Sequence, residues 1–494
     1  MIAMLNFLKK KADETYTENG AKTYASSGSE CLDLFFKAGA MRYASEKTIS
    51  DAVIRAYSED PDKTMKIIFF ARDVRGGLGE RRFFRTAIKA LAYHAPDSVS
   101  ANAKYFAEYG RYDDLCTLIG TPCEAAAANE IRTRLSADIR AMESGKPASL
   151  LAKWLPSVNA SSEETKEMGR RICGILGMSE RNYRKTLSAL RKYTDIIENR
   201  LRVMDYTFDY SKQTSGAMFK YRKAFIRNDG ERYKEFISAV NKGKAKLNAG
   251  TLYPYDIVRA CLTSSPEKPE REALDASWRS LAEHGNGDEN ANAIAVVDGS
   301  GSMTWTPNGT VRPIDVAISL GIYFAEHNKG AFAGHFITFS RRPRLIGIKG
   351  NDIFGKVRYC STFDECANTN LEATFDLILN TAVENHLRKS DIPSRMYIIS
   401  DMEFDSCAEG GNSLPMFMAM KQKYAKYGYD LPDVIFWNVN SRSENIPVRM
   451  TDTGAALVSG ASPAVFDMVR SGEISPEKIM NDIISNERYA RICA

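Results

Sequence analysis

The sequence predicts two architectures in series: an N-terminal α-helical repeat domain of HEAT-like stacked helix pairs, then a doubly wound, Rossmann-like α/β domain. Three observations predict this. From about residue 30 to residue 275, apolar residues recur at three- and four-residue steps and strand-like alternation is scarce. After residue 292, short β-branched runs alternate with helical stretches, the pattern of a parallel sheet covered by helices on both faces. The change falls at a Pro/Gly/Ser-rich seam, residues 263–292.

The elements follow in order. Residues 1–28 are polar and turn Ser/Gly-rich at Ala25-Ser26-Ser27-Gly28-Ser29, which reads as a flexible leader. Residues 29–285 form the helical-repeat domain. Leu32, Phe35, Phe36, Ala40 and Tyr43 recur at helical spacing, as do Val53, Ala56 and Tyr57, then Phe84, Ile88 and Leu91. Breaks fall at Gly76-Gly77-Leu78-Gly79, Gly110, Gly120-Thr121-Pro122 and Gly145-Lys146-Pro147. Short polar connections between segments of about 12–15 residues suit stacked antiparallel helix pairs. Residues 286–494 form the α/β domain. Strands are expected at 294–297, 334–339, 396–400, 433–439 and 455–459, with helices at 313–327, 371–385, 413–427, near 463–470 and at 476–487.

Composition narrows the function classes. The chain has 494 residues, 44% apolar and 26% charged, ordinary for a globular protein. No run reaches the roughly 18 apolar residues of a membrane span. The apolar residues 1–8 run straight into Lys9, Lys10 and Lys11 without a small-residue cleavage site, which argues against a secretory signal. Nine scattered cysteines, none in Cys-x-x-Cys, fit reduced thiols in a cytoplasm. Five histidines without paired ligand spacing argue against zinc.

Residues 294–303 read Ile-Ala-Val-Val-Asp-Gly-Ser-Gly-Ser-Met. An apolar strand thus runs into Asp298-x-Ser300-x-Ser302, one carboxylate and two hydroxyls on a tight turn. Two further loops are expected at the same sheet edge, where ligands of parallel sheets bind: Asn368-Thr369-Asn370 opening a helix, and Asp401 ending the strand Tyr397–Ser400. Asp298, Ser300, Ser302, Thr369 and Asp401 together offer hard oxygens for Mg²⁺, or Mn²⁺ or Ca²⁺, with room for water and one external ligand. A Ser/Gly turn with an Asp helix cap is the structural alternative.

Charge marks a second site. Residues 1–290 carry 47 Lys and Arg against 39 Asp and Glu, a net of +8, and residues 291–494 a net of −3. Residues 151–250 alone hold 21 against 11, a net of +10, enough to attract a polyanion, although solvated helix faces give the same count. In Arg72-Asp-Val-Arg75-Gly-Gly-Leu-Gly-Glu80-Arg81-Arg82-Phe-Phe-Arg85, the glycines allow a tight inter-helix turn. Arg81, Arg82 and Arg85 then oppose the next helix dipole and face an anion or an acidic neighbour, such as Asp73 or Glu80. No Gly-Lys-Ser/Thr follows, so this is not a P-loop. Lys153 and Trp154 precede a capping box at Ser161–Glu164. Arg170, Arg171, Arg181, Arg184, Lys185, Arg191 and Lys192 come next, with Tyr183 and Tyr193 between them, and Arg184, Lys185, Arg191 and Lys192 are expected on one helix face. Lys220, Arg222 and Lys223 extend the block. Such a stripe suits phosphate contacts and base stacking.

Asp298-x-Ser300-x-Ser302 with Thr369 and Asp401 resembles the metal-ion-dependent adhesion site of von Willebrand factor A (vWA) domains. The threonine loop departs from the family in reading Ala-Asn-Thr where Gly-Gly-Thr is common. The resemblance implies that the serines and threonine contact the metal, that the acids bind it directly or through water, and that a partner's acidic group completes the shell. The helical half resembles the TROVE module, on Arg-Asp-Val-Arg-Gly-Gly-Leu-Gly-Glu-Arg-Arg, Tyr109-Gly-Arg-Tyr-Asp-Asp-Leu, Lys153-Trp154-Leu-Pro-Ser and Leu187-Ser-Ala-Leu-Arg-Lys. The whole chain is similar to Ro-type proteins and to an uncharacterised bacterial, phage and plant family of the same layout. That resemblance implies a monomeric ring of helical repeats clasped by the vWA domain, binding structured or misfolded non-coding RNA without catalysis. The alternative is an interaction scaffold whose metal captures an acidic residue of a protein partner. An enzyme lacks support: no Gly-x-Ser-x-Gly elbow surrounds Ser300, and no Cys/His pair or nucleotide loop is present.

Overall fold

The computed structural model describes residues 4, 13–281, 292–306, 311–340, 342–363, 370–405, 415–443, 445–469 and 474–494. Thr369 lies outside them. Two compact units emerge: Met1–Ser45 with Lys234–Asn486, and Glu46–Tyr233 with Glu487–Ala494.

The first unit is built on a six-stranded sheet in the order β5-β4-β3-β6-β7-β8. Its strands are β3 (Ala293–Asp298), β4 (His335–Phe339), β5 (Leu345–Gly347), β6 (Arg395–Ser400), β7 (Asp433–Asn438) and β8 (Ala455–Ser459). All pairings are parallel except β4 with β5 at the edge. Strands β3, β6, β7 and the edge strand β8 are buried on both faces, which explains their unbroken apolar runs. Helix Pro313–His327 covers one face so closely that a Cβ on Gly321 would lie 2.5 Å from Val297 Cγ2. Helix Leu371–Glu384 lies by the other face, where its Leu377 and Ile378 line a pocket with Ile294 and Ile337.

Chain segments expected elsewhere belong to this unit, among them helix Glu30–Ala38, expected with the helical repeats. Residues 13–28, read as a flexible leader, include the antiparallel hairpin of β1 (Glu14–Tyr16) and β2 (Lys22–Tyr24). Tyr24 exchanges backbone hydrogen bonds with Ile446 at 3.1 and 2.9 Å, so the segment is held by a partner far along the chain. Helices Pro254–Thr263 and Lys268–Arg279, expected with the helical repeats, also lie in the sheet unit. Trp278 Nε1 donates to Glu326 at 2.7 Å and Arg271 pairs with Asp352 at 2.6 Å.

The second unit is helical. Helices Glu46–Glu59, Pro61–Arg72 and Arg81–His94 pack in succession. Asp60 caps the second of these, accepting from Lys63 N at 3.0 Å, with Pro61 at its first position. The turn after Arg72 requires glycine: a Cβ on Gly77 would sit 2.0 Å from the Phe70 carbonyl oxygen. Phe69 packs edge-on against Phe84, Phe106 and Tyr109 with centroids 5.2–5.9 Å apart. The buried pair Arg72–Asp114, at 2.8 Å, ties the same region together. The end of the chain returns here: Arg488 donates to Asp73, as does the Tyr489 hydroxyl at 3.1 Å. Among the described residues no helix is long and apolar enough to cross a membrane.

Candidate functional site

The sheet order places β3 beside β6, with β4 reached in one direction and β7 in the other. This is the topological switch point at which parallel sheets open a crevice. Asp298 ends β3, and Asp401 follows the last residue of β6. Pairing of Val297 with Ile399 brings the two strand ends level. Beyond Asp298 the chain turns locally: the Ser300 amide donates to Asp298 Oδ1 at 2.9 Å, and the Ser300 and Ser302 hydroxyls lie 3.0 Å apart. Four of the five residues read from the sequence are therefore together.

Two carboxylates share this crevice with little to neutralise them. Asp298 is fully buried, and burial followed by repulsion from Asp401 pushes its pKa up to about 7. Asp401 is raised as well, chiefly by burial, partly offset by the Ser302 hydroxyl. Asp401 Oδ2 is buried without a hydrogen-bond partner, and the Arg442 guanidinium stands 3.7 Å away. An orphaned buried carboxylate oxygen beside a second carboxylate and two hydroxyls fits a hard divalent cation, which would favour the ionised forms. The set holds only two acids. Among the described residues no three His, Cys, Asp or Glu side chains converge as ligands for a metal ion.

One contributor escaped the sequence reading. Ser400 Oγ donates to Asp298 Oδ2 at 2.5 Å and accepts from the Met402 amide at 3.1 Å, orienting the carboxylate from behind. No sequence signal marks it, because its role depends on β3 and β6 being neighbours. Glu403 is also buried, but the Glu18 amide (2.7 Å), Ser443 Oγ and Asn445 Nδ2 (3.1 Å) satisfy it. It is a structural anchor.

The basic residues fall into two groups. In the first, intramolecular partners hold the charge. Arg85 pairs with Asp113 (2.8 Å) and Asp114 (2.7 Å), not with Asp73 or Glu80. Asp73 takes Arg488 instead. Arg75 donates to the Glu108 carbonyl at 3.0 Å, Lys153 pairs with Glu198 at 3.2 Å, and Arg170 pairs with Glu163 at 3.3 Å. Arg191 points inward, donating to the Ala152 and Leu155 carbonyls at 2.7 Å and to Ser157 Oγ at 2.6 Å. Arg222 donates to the Phe219 carbonyl at 2.8 Å. Arg111, 4.0 Å over the Trp154 ring, covers one face of that indole.

The second group is exposed: Arg81, Arg82, Arg171, Arg184, Lys185, Lys192, Lys220 and Lys223, of which Arg82 and Lys223 also make interactions within the chain. Lys220 rests 4.8 Å over the Tyr221 ring. The arrangement is most regular on helix Glu180–Tyr193. Tyr183, Leu187 and Leu190 bury one face, while Arg181, Arg184, Lys185 and Lys192 are exposed. At 100° per residue, Arg181, Lys185 and Lys192 form a single stripe opposite the buried one, with Arg184 beside it. Among the described residues these four cations make no ion pair.

Residues 17–130 and 177–286 match the domain of unknown function DUF2828, and residues 292–488 match the domain of unknown function DUF7788. Uncharacterized protein L728 of Acanthamoeba polyphaga mimivirus is 29% identical over 503 residues, spanning 94% of this chain and 85% of that protein. The crystal structure of the Deinococcus radiodurans Ro (RSR) protein matches at 12% identity and a TM-score of 0.37, covering 88% of this chain and 92% of that one.

Proposed function

We propose that the protein is a non-catalytic, Ro-like RNA-binding protein that uses the exposed face of helix Glu180–Tyr193. The observation that carries this reading is the stripe of Arg181, Arg184, Lys185 and Lys192, which lacks carboxylate partners among the described residues. Helix surfaces usually intersperse charges of both signs; four cations left unpaired on one face keep their field for an external polyanion. Arg171, Lys220 and Lys223 are further exposed cations of the same basic block. The TROVE-like motifs of the helical half point the same way.

A second reading rests on its own observation, the orphaned Asp401 Oδ2. Here Asp298, Ser300, Ser302 and Asp401, joined by Thr369 as the vWA resemblance implies, would hold Mg²⁺ or Mn²⁺, and an acidic group of a protein partner would complete the shell. The metal would supply a Lewis-acidic position for that carboxylate. This chain's residues orient it: Ser400 fixes Asp298, and the Asp298 turn sets the two serine hydroxyls side by side.

Sequencing of RNA that copurifies with the protein, followed by salt and chelator titrations, tests the first reading against the second. Four phosphate contacts weaken binding on the order of 50-fold between 50 and 200 mM salt, with no response to EDTA. Capture through the metal is abolished by EDTA and responds less to salt. Absence of copurifying RNA and of any affinity for structured RNA contradicts the first reading.

A further inference from the structure

We infer that Arg442 is a built-in competitor for the cation site, and that the N-terminal hairpin restrains it through Glu18; the inference rests on the metal reading above. Arg442 lies in the loop beyond β7, the strand next to β6. Its Nη1 stands 3.7 Å from Asp401 Oδ2, too far for a hydrogen bond, yet among the described residues it is the cation facing that orphaned oxygen. Its Nη2 meets Glu18 Oε2 at 2.8 Å. One guanidinium is thus divided between a buried carboxylate of the site and a half-exposed carboxylate of the hairpin.

The hairpin is not free to follow. Thr17 Oγ1 donates to the Phe404 carbonyl at 2.5 Å, Asn19 Nδ2 to the Glu403 carbonyl at 2.7 Å, and the Glu18 amide to Glu403 Oε2 at 2.7 Å. Gly20 bridges to Asp405. These bonds clamp the segment directly after Asp401 and fix Glu18 where it draws Arg442 outward. A divalent cation on Asp401 and a guanidinium a few ångströms away repel each other in a site with little solvent screening. Metal entry therefore moves Arg442 fully onto Glu18, and loss of Glu18 leaves Arg442 to the site. The hairpin and the cation are coupled through a single side chain.

The two carboxylate neighbours of Arg442 give opposite signatures. Calorimetric titration of the full chain with MnCl₂ compares wild type, Arg442→Gln and Glu18→Gln. Arg442→Gln tightens Mn²⁺ by roughly tenfold or more, and Glu18→Gln weakens it by roughly threefold or more. Hydrogen exchange of residues 13–24 provides a second readout: Mn²⁺ slows exchange in wild type and leaves it unchanged in Arg442→Gln. Equal affinities in all three proteins, or weakening in both variants, overturns the inference while leaving the metal reading intact. If neither wild type nor Arg442→Gln takes up Mn²⁺, the metal reading itself fails and the inference falls with it.

Discussion

Ser400 Oγ donates a hydrogen bond to Asp298 Oδ2 at 2.5 Å across 102 residues of chain, because β3 and β6 lie side by side in the sheet. The bond fixes the carboxylate that closes β3 and leaves its other oxygen to the Ser300 turn. Ser400→Ala removes that support without emptying the crevice of its acids. It is expected to weaken Mn²⁺ binding roughly tenfold, as loss of an outer-shell partner does. Calorimetric titration beside Asp298→Ala, which is expected to abolish the heat, measures the difference.

Burial and the neighbouring Asp401 push the Asp298 pKa up to about 7, against an ordinary value of 3.8. Between these values the folded, metal-free protein holds a proton that the unfolded chain has released. Its stability therefore falls as pH rises through that window. Thermal denaturation in EDTA is expected to give a lower Tm at about pH 7.5 than at about pH 5.5 through this group. Asp298→Asn reduces the difference, and saturating Mn²⁺, which favours the carboxylate, opposes it.

Arg191 and Arg184 sit on one helix and do different work. Arg191 ties two carbonyls and a serine of the segment 152–157, whereas Arg184 is exposed. Arg191→Ala is expected to cost about 2–4 kcal/mol of stability, from charged hydrogen bonds and unsatisfied buried carbonyls. Arg184→Ala stays within about 0.5 kcal/mol. Urea denaturation of both variants checks the contrast, and equal effects contradict it.

Asp114 serves Arg72 and Arg85 at once, with no exposed side-chain surface. Asp114→Ala leaves the Arg72 guanidinium buried without its partner. The expected loss is about 3–5 kcal/mol, the range for breaking one side of a buried pair. Chemical denaturation measures it, and a loss within the range of surface substitutions contradicts the assignment.

Much of the sheet unit was legible because its signals are local. The strands at 294–297, 396–400 and 455–459 are buried on both faces and so read as unbroken apolar runs. Helix Pro313–His327 lies where its periodicity places it. The Asp298 turn was legible for the same reason, since Asp298, Ser300 and Ser302 meet through contacts two residues apart. What escaped depends on distant partners. The β1–β2 hairpin has three residues per strand, and Thr17 and Glu18 find their partners at Phe404 and Glu403. Asp73 meets Arg488 415 residues away. Arg191 shares its helical spacing with exposed cations, and only the carbonyls of Ala152 and Leu155 turn it inward. Charge pattern alone does not distinguish a cation that faces water from one that closes a loop.

The central claim is that the outward stripe of helix Glu180–Tyr193 meets RNA. The direct measurement is the affinity of a labelled structured RNA, by fluorescence anisotropy with EDTA present, for wild type and for the variant carrying Arg181→Glu, Arg184→Glu, Lys185→Glu and Lys192→Glu. Binding is expected to weaken by roughly tenfold or more at 50 mM salt, and the plot of log affinity against log salt is expected to flatten. A folded variant with unchanged affinity and unchanged salt dependence contradicts the account.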